Sequence, residues 1–219
     1  MSIKLKGSSD GSVSFDAPAD TSPSGSDVSF TLPIADGSAG QVLATNGSGA
    51  LSFANEGKIL QVVQNHVTTT SSQSVSQNTT TNITNLSASI TPKSSTSDML
   101  VFVMWHGETN ESPHNTLFGL RRDTAAIGNA ASSGNRSTGI ANIQMGYFDD
   151  DNNSTIDSAK YQFFDTGRSS GTSQITYHAT VRNNRTGGIT LVNNRTIGDL
   201  NSSGYERCTS SITILEVAA

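Results

Sequence analysis

His106, Glu108 and His114 lie within one short stretch and form the most metal-like group in the sequence, because imidazole and carboxylate are usual ligands for zinc and related ions. The spacing is neither the His-Glu-x-x-His of helical zinc sites nor the paired-cysteine pattern of deaminases. Asn110 and Pro113 beside it point to a strand running into an exposed loop. Asp149, Asp151 and Asn153 offer oxygens at alternate positions, as a calcium loop begins. Ser154 then stands where the turn glycine belongs and Lys160 where the bidentate glutamate belongs, so a solvated acidic turn is expected. Nucleophile chemistry has less behind it. No Gly-x-Ser-x-Gly occurs, and Cys208 has Arg207 beside it but no histidine identifiable from the sequence, so it reads as a small core residue at the head of an apolar strand. Glu108, Glu111 and Asp150 are the carboxylates a glycan-cleaving groove would have to pair. No cofactor and no resident metal are expected, and the chain does not read as an enzyme.

A short repeat carries the other candidates. Asn183-Asn184-Arg185-Thr186 and Asn193-Asn194-Arg195-Thr196 bracket an apolar strand at an offset of ten residues, the distance between turns at opposite ends of one strand. Turn chemistry accounts for it. The functional alternative is that Arg185 or Arg195 pairs with a carboxylate on a neighbouring subunit or an acidic sugar. Trp105, Tyr147, Tyr161, Tyr177 and Tyr205 could stack on sugar rings, but in a chain only 6% aromatic most of them are expected in the core.

The elements that position these residues follow from composition. Of 219 residues, 60 are Ser or Thr and 20 are Gly, while 14% are charged, against roughly 25% in an average soluble protein. That balance favours short strands and turns over salt-bridged helices. A net charge of −5 supplies no basic surface for phosphates, which argues against nucleic acid as a partner. One cysteine excludes an intrachain disulfide, and no apolar run suits a signal peptide or a membrane span. The Asn-x-Ser/Thr sequons at Asn82, Asn153 and Asn194 read as turn and strand-edge residues.

From residue 57 onward apolar density rises. Alternation places strands at 58–67, 82–91, 98–106, 117–122, 125–128, 140–148, 158–164, 173–181, 189–192 and 208–217, with no long helix. So many strands joined by unequal polar loops predict an all-β, jelly-roll-like antiparallel sandwich over 57–219. The run from Met99 to Trp105 is apolar on both faces, so one face should enter the sandwich and the other meet something else, a partner subunit being one candidate. Ile212 and Ile214 against Leu215 and Val217 give the last strand the same character and suggest a buried C-terminus.

Residues 1–56 differ. Val13-Ser14-Phe15-Asp16-Ala17-Pro18 is loosely repeated by Val28-Ser29-Phe30-Thr31-Leu32-Pro33. Val28, Phe30, Leu32 and Ile34 alternate with polar residues and Pro33, which predicts an edge strand. About a dozen large apolar residues in this segment are too few for its own core, since ordering costs roughly 1–2 kcal/mol per residue. An extended stalk or attachment segment that intertwines with identical chains is therefore expected, with Val13, Phe15, Val28, Phe30, Leu32 and Ile34 as interface positions.

The residues 37–53, Gly-Ser-Ala-Gly-Gln-Val-Leu-Ala-Thr-Asn-Gly-Ser-Gly-Ala-Leu-Ser-Phe, closely resemble a segment recurrent in bacteriophage fibre proteins, especially those of marine phages. Residues 57–64 resemble the opening strand of a C-terminal domain in the same proteins, and 189–195 with 210–218 resemble its last strands. The resemblance implies a homotrimeric virion structural protein with an extended part before a β-sandwich head. It does not choose between tail fibres and fibres or decorations on heads, and it carries over no catalytic residue. The chain is shorter than long tail fibres and shows no large tail-binding domain before the stalk. The expected partners are sibling chains, tail or capsid proteins held by the N-terminal segment, and host-surface glycans. Loops at 107–115, 129–136 and 149–153 would face outward, with Glu108, Asn110, His114, Asn135, Arg136, Asp150 and Asn152 as contact residues.

Overall fold

The computed structural model describes residues 3–6, 12–15, 18–19, 21–22, 24–55, 57–111, 115–143 and 154–219, with backbone alone at 3–6, 12–15 and 55. The described residues are all-β, without a helix, and the chain divides into two compact units, Met1–Glu56 and Gly57–Ala219.

The described residues of the first unit form two hairpins. Strands β1 (Ile3–Lys6) and β2 (Ser12–Phe15) pair antiparallel, with Ile3 opposite Phe15 and Leu5 opposite Val13. Strands β3 (Gln41–Thr45) and β4 (Leu51–Asn55) form the second, which sequence alternation did not single out. Its turn is built by Asn46, whose Oδ1 accepts the Ser48 and Ala50 amides at 2.8 and 3.2 Å, with Gly47 and Gly49 at positive φ. The expected strand at 28–34 is corrected. Residues 28–34 touch the sheet through one bridge, Thr31 to Ala50, made by the Thr31 amide on Gly49 O and the Leu51 amide on Thr31 O. A strand needs a partner along its whole length, and the described residues of this unit offer one only at that point.

The described residues of the second unit form eleven strands in two antiparallel sheets. In the larger sheet β5 (Ile59–Val67) pairs with β15 (Ser210–Val217), β15 with β8 (Asp98–Thr109), and β8 with β12 (Asp157–Asp165). Beyond the end of β15, β14 (Ile189–Asn193) continues along the same side of β8 and carries β6 (Ser71–Val75) on its far edge. The smaller sheet runs β10 (Ala125–Ile127), β9 (Thr116–Arg122), β13 (Ile175–Asn183), β7 (Thr79–Ile90), with β11 (Ala141–Asn142) also on β9. Most expected strands shift by one to three residues. The strand expected over 140–148 is two residues long as described, with 144–148 outside the described residues.

Alternation explains the core. Met99, Val101, Val103 and Trp105 of β8, with Ile212 and Ile214 of β15, face Phe118, Leu120, Tyr177 and Val181 of the other sheet in one buried cluster. Trp105 and Phe118 are its centre, ring centroids 4.8 Å apart and planes tilted by 40°, an attractive aromatic geometry. Leu100, Phe102 and Met104 take the outer face of the sheet, as the two-sided apolar run requires. Two expectations fail. Cys208 is exposed just before β15, because Ser210 is the residue that turns inward there. The C-terminus is tethered but not buried: the Ala218 amide reaches Lys58 O at 2.7 Å while Ala219 stays exposed.

The join between β14 and β15 is polar and buried. Asn194, at φ 61°, donates from Nδ2 to Val67 O and Thr69 O and accepts the Ser210 hydroxyl at 2.6 Å. Asn193 accepts the Trp105 indole N–H at 2.6 Å and donates to Ser71 Oγ at 2.7 Å. Opposite this join sits Gly107, where a Cβ would stand 2.0 Å from Val192 O and 2.7 Å from Trp105 Cζ2. Backbone cannot yield as a flexible side chain can. Gly107→Ala is expected to cost about 3 kcal/mol, the upper end for overpacking. Thermal denaturation beside wild type checks it; an unchanged midpoint contradicts the close approach of β8 and β14.

Candidate functional site

Four of the expected interface residues of the first unit lie on the extended segment 28–34, which is paired at Thr31. Val28, Phe30 and Leu32 are 56%, 61% and 69% exposed, and Ile34 is fully exposed. No residue of this unit whose side chain is described is buried. The Phe53 ring packs over Gly37, where a Cβ would come within 2.6 Å. Val13 and Phe15 lie opposite Leu5 and Ile3 in the β1–β2 ladder, and their side chains are outside the described residues.

The head residues separate. Glu108 is corrected from contact residue to anchor: β8 runs on through Thr109, and the buried carboxylate of Glu108 accepts the Ile197 amide at 2.6 Å. Asn110 is exposed, but its Oδ1 is engaged by the Thr190 amide at 2.6 Å. Asn135 and Arg136 are exposed on the loop after β10, with Arg136 bonded locally to Ser133. His114, Asp150 and Asn152 lie outside the described residues, as does the 149–153 turn. His106, read with Glu108 as metal-like, points its Nδ1 at Thr209 O, 2.7 Å away. Among the described residues no three His, Cys, Asp or Glu side chains gather as a metal set.

The paired Asn-Asn-Arg-Thr motifs are structural. Asn183 donates to Val75 O and Gly187 O and accepts the Arg185 amide. Arg185 pairs with Glu111 at 3.2 Å, and Arg195 lies 3.8 Å from Asp199. The carboxylates that the sequence left open thus come from the same chain.

Two charged networks at one end of the head went unmarked in the sequence. Asp165, buried at the end of β12, receives Arg122 Nη1 at 2.7 and 2.8 Å, the Tyr177 hydroxyl at 2.7 Å and the Gly167 amide. Burial, then the Asp165 carboxylate, pushes the Tyr177 phenol well above its ordinary range; burial does the same to Tyr161. Both phenols therefore stay protonated near neutrality and donate their hydrogen bonds, Tyr161 to Gly119 O and Tyr177 to Asp165. Arg168 donates to Ser94 O, Ser97 O, Ser97 Oγ, Ser169 O and Gly171 O, which occupies all its N–H directions. Ser97 in turn donates to Glu216 at 2.6 Å, so Arg168 and Glu216 are joined through one hydroxyl. The arginines are tied down to hold loops, and a single sequence offers no pattern that announces such ties.

Comparison with protein-family models finds no match, and a search of curated proteins finds none either.

Proposed function

We propose that the chain is a non-enzymatic virion structural protein, a homotrimeric phage fibre whose N-terminal stalk segment assembles with its siblings and whose jelly-roll-like head is displayed outward. The observation that carries this reading is the exposed row Val28, Phe30, Leu32 and Ile34 in a unit with no buried side chain among those described. Apolar rows left in water are a mark of an interaction surface. Three copies turn one-sided segments into a shared interior, and each apolar Å² removed from water contributes about 25 cal/mol. The outer face of the larger sheet adds a second apolar surface, with Val62, Phe102 and Phe164 at 58%, 38% and 46% exposure. The resemblance of 37–53 to phage fibre segments supports the same reading, with tail or capsid proteins as attachment partners and a host-surface glycan as target.

A capsid decoration gripping the head shell through the N-terminal segment is the second reading, since the segment that 37–53 resembles occurs in fibres and decorations on heads as well as in tail fibres. Imaging particles that carry a tag after Ala219 separates the two. Label at the tail supports the fibre; label on capsid lattice points transfers the protein to the head. Sedimentation equilibrium tests the shared premise: a species of three times 22.9 kDa is expected, and a persistent monomer at micromolar concentration rejects both.

A further inference from the structure

The geometry points to a monosaccharide-sized polyol site in the cleft between the end of β9 and the loop 168–175, with a neutral sugar ring bearing adjacent hydroxyls as ligand. The cleft has a volume of about 240 Å³ and is lined by Arg122, Asp123, Arg168, Ser170, Ser173 and Gln174, with Ile175 at its edge. Drug-sized pockets span roughly 300–1,000 Å³ and are mostly apolar; this one is smaller and polar, which suits one hydroxylated ring rather than an aromatic or lipid ligand.

The free groups of the walls are of both kinds. Asp165 and Gly167 O hold Arg122 through Nη1 and Nη2, leaving its Nε–H and one Nη2–H without a partner among the described residues. Arg168 is fixed by five neutral oxygens and acts as a strut. Asp123 is clamped to β13, with its Oδ1 on the Thr176 amide at 2.9 Å and its own amide on Thr176 O at 2.7 Å. Its Oδ2, the Ser170 and Ser173 hydroxyls and the Gln174 amide have no partner among the described residues. Adjacent guanidinium N–H groups donate to neighbouring hydroxyl oxygens, while Asp123 Oδ2 and Gln174 Oε1 accept the hydroxyl protons. A sugar diol needs that mixture, because each hydroxyl both donates and accepts.

Charge selects the neutral class. Arg122 is paired with Asp165 and every Arg168 N–H is taken by a neutral oxygen, so an anionic sugar finds no uncommitted cation and meets the free oxygen of Asp123. The site deepens the outward-facing head proposed above, and its lining residues are none of those first expected to contact a receptor.

Ligand-observed saturation-transfer NMR on the full chain tests it, using the methyl glycosides of glucose, galactose, mannose and fucose beside glucuronate and N-acetylneuraminate. At least one neutral glycoside is expected to show ring-proton transfer. Gln174→Ala should weaken it at least fivefold and Ser170→Tyr, which fills the cleft, should abolish it, while Asn135→Ala leaves it unchanged. Residues 135, 170 and 174 are exposed, so these changes spare the fold. Silence from every glycoside, binding by the acidic sugars alone, or binding indifferent to Ser170→Tyr would overturn the proposal. Failure here with an intact trimer leaves the assembly reading standing, and binding by a monomer does the reverse.

Discussion

A chain carrying Phe30→Asp and Leu32→Asp is expected to run as a monomer at concentrations where wild type is a trimer. The argument turns on what each state does with these side chains. In the single chain both are more than half exposed, and exposed substitutions that touch nothing usually alter stability by about 0.5 kcal/mol or less. A monomeric protein would scarcely register the change. In an intertwined trimer each position loses about 1.5–3 kcal/mol of apolar burial, and a carboxylate brought into that interior adds its own desolvation cost. Repeated on three chains, the loss shifts the assembly constant by many powers of ten. Sedimentation velocity across a dilution series reads the result, with Thr31→Asp outside the apolar row as comparison. Unchanged mass for the double variant would remove these residues from the interface.

The second large effect concerns Glu216, a fully buried carboxylate near the end of β15. Its oxygens accept the Lys93 amide at 2.8 and 3.0 Å, the Ser94 amide at 2.9 Å, the Ser97 hydroxyl at 2.6 Å and Gln61 Nε2 at 2.6 Å. Loop 91–97 is thereby pinned to the end of β15. Glu216→Ala strands these donors, each at about 1–3 kcal/mol when left unmet, and is expected to cost about 3–5 kcal/mol after partial rehydration. Burial alone would raise the carboxyl's pKa. The hydrogen bonds from Lys93, Ser97, Ser94 and Gln61 outweigh that and hold it below its ordinary value. Its contribution is therefore complete above the unfolded-state pKa of about 4.3 and is lost as pH falls through the lower folded value. Denaturant melts should show the gap between wild type and Glu216→Gln widest at neutral pH and shrinking below about pH 4. A gap independent of pH would mean that the carboxylate's charge is not what the loop holds.

Period-two alternation made most of the head legible. Met99 to Trp105 and Ile212 to Val217 announce central strands, and their inward residues are the ones buried. The element β6 escaped because Ser-Ser-Gln-Ser-Val offers one apolar side chain, Val75, and its strand character comes from pairing with β14. The continuation of β8 through Glu108 was hidden for a related reason. A Gly beside a Glu reads as a loop until Val192 and Ile197 supply their partners from about ninety residues away. The role of Glu216 could not be read because its donors lie 119 to 155 positions distant in the chain. At 28–34 the pattern was visible and the strand was not formed, since alternation states which face is apolar and says nothing of who covers it. The cleft at Arg122 went unseen because Arg168-Ser-Ser-Gly looks like any polar turn until β9 is placed beside it.

Amide hydrogen exchange of residues 24–55, followed in the full chain as concentration rises from well below to well above the assembly midpoint, tests the central claim most directly. Protection there is expected to appear with the trimer and vanish in the dilute monomer, while β8 and β15 stay protected throughout. Strong protection of 24–55 in the isolated monomer would contradict it.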